Sequence, residues 1–162
     1  MSTTIHYFGK LTDPSVLPEL IEDFEEIARV SGWPYERVDH VFTREEGPSP
    51  GRLTLKGLRV TLSKSATPFL LTFDQEGHLA HIYHEPVSLE EGVVSPRRLL
   101  HQVHTHTTLR AQDPHVHITL VKLLDHLRKR FIKNLEVIDN SGYWYSRDES
   151  LLKPQALELI QK

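Results

Sequence analysis

Histidine is the residue in this chain whose number and spacing invite chemistry. Eleven are present, and the stretch LLHQVHTHTTLRAQDPHVHI, from Leu99 to Ile118, holds five of them. Imidazole is the commonest protein ligand for zinc and suits other divalent transition metals; a site needs three or four donors converging at about 2.0 to 2.1 Å. On a helix over Pro96–Thr107, His101 and His104 lie three apart on one face, and His106 points elsewhere. On strands, His104 with His106 and His115 with His117 form two same-face pairs able to close a four-histidine site. The preferred ligand set is His101, His104, His115 and His117 for a divalent transition metal. A second run, GHLAHIYHEP, sets His78 and His84 on one strand face and His81 on the other, with Asp74 and Glu85 nearby. No HExxH motif and no i, i+4 histidine pair marks a hydrolase. Against the metal stands the plainer reading, in which these imidazoles are surface or hydrogen-bonding residues.

Other chemistry has less support. GxxxxGK[ST], GxGxxG and GxSxG are all missing, so neither nucleotide cradling nor nucleophile-elbow hydrolysis is indicated, and no catalytic set emerges. The chain has no cysteine, which excludes disulfides, thiolate metal sites and a cysteine nucleophile and points to a reducing cytoplasm. KLLDHLRKRFIKN places Lys122, Arg128, Lys129 and Arg130 on one basic helix face, a candidate surface for nucleic acid or a partner. No ribonucleoprotein motif accompanies it and the formal net charge is −3, which weighs against nucleic acid. Residues 1–50 carry ten acids against four bases, and 101–162 nine bases against seven acids. The acidic face of the first helix and this basic face are thus complementary, which suits self-association or a protein partner.

The elements that must position these residues follow from capping and periodicity. Asp13 and Pro14 open a helix whose apolar positions, Leu17, Leu20, Ile21, Phe24, Ile27 and Ala28, recur at helical spacing before Gly32. Strands are expected in TIHYFGKL, YERVDHVF, LTLKGLRVTLS and PFLLTFD, with HLAHIYH as the second arm of a hairpin. Ser95 and Pro96 open a short helix, PRRLLHQVHTH, and Asp113 with Pro114 opens a longer one striped by Leu120, Leu123, Leu124, Leu127 and Phe131. LEVID, NSG and YWYS predict another hairpin, with Gly142 at positive φ, and Asp148 caps a terminal helix containing Leu151, Leu152, Leu157 and Ile160.

The 162 residues, 38% hydrophobic and 25% charged, suit one compact unit, with possible pseudo-repeat halves 1–65 and 66–162. Apolar runs such as Phe69–Phe73 are too short to span a bilayer, and the first twenty residues lack the pattern of a secretory signal. Hairpins alternating with helices predict an α+β fold, helices on one face of antiparallel sheet.

IHYFGKLTDPSVLPELIEDFEEIARVSGW, the strands LKGLRVTLS and PFLLTFDQEGHL, and VHITLVKLLDHLRKRF running into LEVIDNSGYWYSRDESLL together resemble a group of small uncharacterised bacterial proteins. The resemblance spans most of the chain and implies a repeated ferredoxin-like arrangement, with no catalytic set to carry over. The leading expectation is a cytoplasmic binding or interaction module without catalysis. A histidine-rich metal-binding protein is the alternative, and a nucleic-acid-binding module the weaker one.

Overall fold

The computed structural model describes residues 3–44, 51–85, 98–109 and 113–152. The fold is α+β and its strands pair antiparallel throughout. In chain order the elements are β1 (Thr3–Phe8), α1 (Leu17–Ser31), β2 (Tyr35–Arg44), β3 (Gly51–Val60), β4 (Phe69–Phe73), β5 (His81–Glu85), β6 (Arg98–Gln102), β7 (Thr105–Leu109), α2 (Pro114–Arg130), β8 (Glu136–Asp139) and α3 (Tyr143–Ser146). They form three sheets, ordered β7-β1-β8, β2-β3-β4 and β5-β6.

Both long helices start where their caps require. The Asp13 carboxylate accepts from the Ser15 amide over a short 3-10 turn that leads into α1, and Gly32 ends α1 at φ 75°. Asp113 caps α2 by accepting from the Val116 amide. Leu20, Phe24 and Ala28 of α1 and Leu120, Leu124 and Leu127 of α2 share one core with Ile5, Tyr7, Leu58, Val60, Phe69, Leu71, Phe73, Leu109 and Val137. Both helices therefore cover the same face of the strands, as period-3.6 stripes meeting period-2 faces demand.

Strand β3 serves two cores. Leu58 and Val60 face the helices, and Leu53 and Leu55, on the opposite face, pack with Val38, Phe42, Ala80 and Ile82. Midway, Gly57 sits so close to β4 that a Cβ there would lie 1.8 Å from the Leu71 carbonyl oxygen.

The β7-β1-β8 and β2-β3-β4 sheets meet along a seam between β7 and β4. Ala66 bridges Leu109, the Thr67 amide donates to the Thr108 carbonyl at 2.8 Å, and the Thr108 amide donates to Thr67 Oγ1 at 2.7 Å. The Tyr7 hydroxyl spans the same seam, donating to the Leu70 carbonyl at 3.0 Å and accepting from the Leu70 amide at 3.1 Å. It thereby satisfies two backbone groups that lack a ladder partner on this side of β4.

Beside β1, one strand slot is filled in two pieces. Lys10 bridges His78 and the Leu79 amide donates to the Gly9 carbonyl, whereas Tyr7 faces Thr105 and β7 continues from there. The chain leaves the slot after Ala80, runs out as β5, returns as β6 and re-enters at Thr105. The β5-β6 pair thus branches off an otherwise continuous strand, as an excursion that starts at His81 and ends at His104.

Three expectations change. Leu99–His106 is not helical: β6 and β7 occupy it, because Thr105, Thr107 and Leu109 alternate inward with period 2 and β7 has β1 to pair with. HLAHIYH forms only a short hairpin with β4, through the Phe73–Leu79 bridge, before β5 pairs with β6. YWYS is the helical turn α3, because Asp139 caps it: Oδ2 accepts from the Trp144 amide and Oδ1 from Ser141, so the chain turns away from β8. Gly142 does hold φ 83°, and Asp148 caps a 3-10 turn at Glu149–Leu152; Leu157 and Ile160 lie outside the described residues.

Candidate metal centre

Period-2 alternation decides what the outer face of the β7-β1-β8 sheet carries. Ile5 and Tyr7 of β1 and Thr105, Thr107 and Leu109 of β7 point into the core, so His6 and His106 point out. The register sets His6 directly opposite His106 on one side and Ile138 on the other. His104 comes from the corner between β6 and β7. Ring centroids lie 5.6 Å apart for His6 and His106, 5.9 Å for His6 and His104, and 6.5 Å for His104 and His106. One nitrogen from each ring lies within 4.8 Å of the others, and this is the one such three-donor cluster among the described residues.

A tetrahedral zinc with bonds of about 2.0 to 2.1 Å holds its nitrogens about 3.4 Å apart, so ring movements on the order of an ångström close the set. Two of the three rings, His6 and His106, face each other across one rung of a paired ladder, which limits the backbone adjustment required. Burial pushes the His106 imidazole below its ordinary range, with His6 and His104 adding to the effect. That favours the neutral ring, which is the form that binds metal.

His81 is within electrostatic reach of His106. It is the first residue of β5, faces Gln102 across the β5-β6 ladder, and marks the point where the excursion begins; His104 is its last residue. Burial lowers the His81 pKa, followed by the influence of His106 and then of Arg59.

The four histidines preferred from sequence are dispersed over the molecule. His104 joins the cluster with His6 and His106. His101 Nε2 lies 3.0 Å from Asp74 Oδ2, and that carboxylate, nearly buried, also accepts the Glu76 and His78 amides through Oδ1. His115 is exposed near the start of α2. His117 is buried, its Nε2 2.8 Å from Asp139 Oδ2. Ser141 Oγ donates to Asp139 Oδ1 at 2.7 Å and lies 3.4 Å from the same His117 nitrogen. Serine and histidine thus both converge on the aspartate, and no nucleophile-activating chain of the Ser-His-Asp kind results. Burial alone would raise the Asp139 carboxyl, but the hydrogen bonds from His117 and Ser141 outweigh it and hold the pKa below its ordinary value.

The basic face of α2 is partly neutralised from within. Arg130 pairs with Glu19 at 3.0 Å and Asp23 at 3.2 Å, and His126 Nε2 lies 2.6 Å from Asp23 Oδ2, so α1 supplies acidic partners. Arg128 reaches Asp125 at 3.4 Å and lies over the Trp144 ring. Lys129 contributes to the depressed pKa of Asp125, behind the dominant hydrogen bond from Arg147. Lys122 is exposed. Among the described residues no helix is long and apolar enough to cross a membrane.

His6 is named by no sequence reading, and His106 only by the strand reading, outside the preferred set. A lone histidine in TIHYF carries no spacing signal, because its partners lie about a hundred positions away and only the β1-β7 register joins them. The alternation in HTHTTL, residues 104–109, was the available clue to His104 with His106. Comparison with protein-family models, with curated proteins and with solved structures returned no match.

Proposed function

We propose that this protein binds a divalent transition metal through His6, His104 and His106. The observation that carries the reading is the convergence of three imidazole nitrogens within 4.8 Å on a paired sheet face. Three histidines from two strands and a corner match the donor number of an open zinc site, in which a fourth position remains for an exogenous group. The finer reading of the fold, a ferredoxin-like arrangement, is supported by β7-α2-β8, a crossover whose strands flank β1 in one sheet.

The test is elemental analysis and calorimetric zinc titration of untagged full-length protein purified without chelator or nickel resin. The expected result is one zinc per chain, with affinity reduced at least about tenfold in His6→Ala and in His106→Ala, the low end of what a disturbed metal site costs. His115→Ala, at a histidine outside the three-donor cluster, is expected to bind as the parent does. A folded parent that takes up no metal overturns the reading.

A further inference from the structure

The three clustered histidines are not held in place by the same means. His6 and His106 face each other within the β1-β7 ladder, so the sheet register fixes both. That ladder runs as far as the Tyr7–Thr105 pair, and His104 lies just beyond it, in the corner Val103–His104 that joins β6 to β7. Its ring is therefore placed from two sides, by β7 after it and by β6 before it. The sheet secures the first, and the second depends on how β6 is held. Metal bonds of about 2.0 to 2.1 Å leave little room for a loosely placed donor, so the hold on β6 bears on how well the third ring can serve.

One rung of the β5-β6 pair seats it on the rest of the molecule. Ile82 faces His101 across that ladder, and directly paired residues project to the same face. Ile82 is 3% exposed and packs with Val38, Leu53, Leu55 and Ala80. Beside it, His101 Nε2 lies 3.0 Å from Asp74 Oδ2; a carboxylate accepts, so the ring nitrogen donates. The carboxylate is itself fixed, because Oδ1 accepts from the Glu76 amide at 3.0 Å and the His78 amide at 2.9 Å. The turn that carries it is tied to the chain following β1: the Leu11 amide donates to the Gly77 carbonyl and the Leu79 amide to the Gly9 carbonyl. Asp74 thus belongs to the same frame as His6, and His101, three residues before His104, is a point where that frame grips β6.

We propose that Asp74 and His101 are positioning residues of the metal centre: their hydrogen bond fixes β6 against the frame that carries His6 and so keeps His104 within reach of the shared ion. This rests on the metal-binding reading above. The frame then reaches the ion by two routes, directly through His6 on β1, and through Asp74, His101 and the corner to His104. A metal that draws the three rings together favours the seated form of β6, and by linkage a seated β6 favours the metal by the same factor. His101 acts through His104 and not on the ion, since its Nε2 is engaged with Asp74 and it stands outside the set of nitrogens that converge within 4.8 Å.

The test is calorimetric zinc titration of the full-length protein alongside His101→Leu and His101→Gln, with circular dichroism to establish that each is folded. Leucine removes the donor, and glutamine keeps an N–H for the Asp74 carboxylate. The expected result is one zinc per chain in all three proteins and an affinity about tenfold weaker in His101→Leu, the factor that one lost charge-assisted hydrogen bond corresponds to. Most of that loss is expected to be recovered in His101→Gln. A second measurement needs no variant: hydrogen exchange of the β6 amides in the parent is expected to slow about tenfold on zinc loading. A zinc affinity in His101→Leu equal to the parent's overturns the proposal. So does a His101→Gln as weak as His101→Leu, which makes the imidazole itself the requirement. Exchange in β6 that is indifferent to zinc overturns it as well, and decides the matter where His101→Leu does not fold. A parent that takes up no zinc removes the metal-binding reading itself, and this proposal with it.

Discussion

Tyr7 shows how much one side chain contributes to joining the sheets. Its ring is fully buried, and its hydroxyl holds both the amide and the carbonyl of Leu70 while lying 3.2 Å from Thr107 Oγ1. Tyr7→Phe keeps the ring and removes the oxygen, leaving two backbone groups without that partner, at an expected cost of about 1 to 3 kcal/mol. Urea unfolding of the two proteins measures it. Burial pushes the phenol up to about 12, against hydrogen bonds that pull the other way. The folded state therefore retains the proton at pH values where the unfolded chain, with a phenol near its ordinary value of about 10, has released it. This contribution is complete below about pH 10 and declines as pH rises from about 10 towards 12. In Tyr7→Phe the part of the alkaline decline due to this group is absent, and unfolding curves taken across that range compare the two.

At the level of elements, Gly57 marks the place where β3 tolerates least change. A Cβ there meets the Leu71 carbonyl oxygen of the neighbouring strand, a rigid backbone atom, and the residue also holds φ 155°. Gly57→Ala is expected to destabilise by about 3 kcal/mol or more, since strand pairing must open to admit the methyl group. A drop in thermal midpoint with little change in helical circular dichroism is the sign to look for. The two long helices were legible in the sequence because their signals are local: Asp13 and Asp113 cap, prolines follow, and the apolar spacing repeats. Leu99–His106 was misread as helix for the converse reason. Ser95-Pro96 is a helix-opening pair, and only the presence of β1 as a pairing partner makes Thr105–Leu109 a strand. The same limit hid the three-histidine cluster, since a register joining His6 to His106 is a long-range fact that no sequence window contains. α3 failed through side-chain capping, where the Asp139 carboxylate diverts the chain after β8.

On the scale of the whole molecule, His6 and His106 are brought together only when β1 has paired with β7, so the donor set exists in the folded state and is dispersed in the unfolded one. Ligand that binds only the folded chain stabilises it by mass action, by about 2.7 kcal/mol at a hundredfold excess over the dissociation constant. Differential scanning calorimetry is therefore expected to show a midpoint that rises with zinc concentration in the parent and stays fixed in His6→Ala. An equal rise in both proteins locates the zinc effect elsewhere. The excursion from the strand slot has its own consequence. Its first residue is His81 and its last is His104, whereas the strand pieces it interrupts, around His78 to Ala80 and from Thr105 onward, take consecutive places beside β1. A shorter chain lacking residues 81–104 keeps the backbone rungs of that slot, removes Ile82 from against Leu53 and Leu55, and loses one of the three clustered histidines, His104. The three-histidine set is thus split between the two parts of the fold: His6 and His106 stay with the sheet, and only His104 leaves with the excursion.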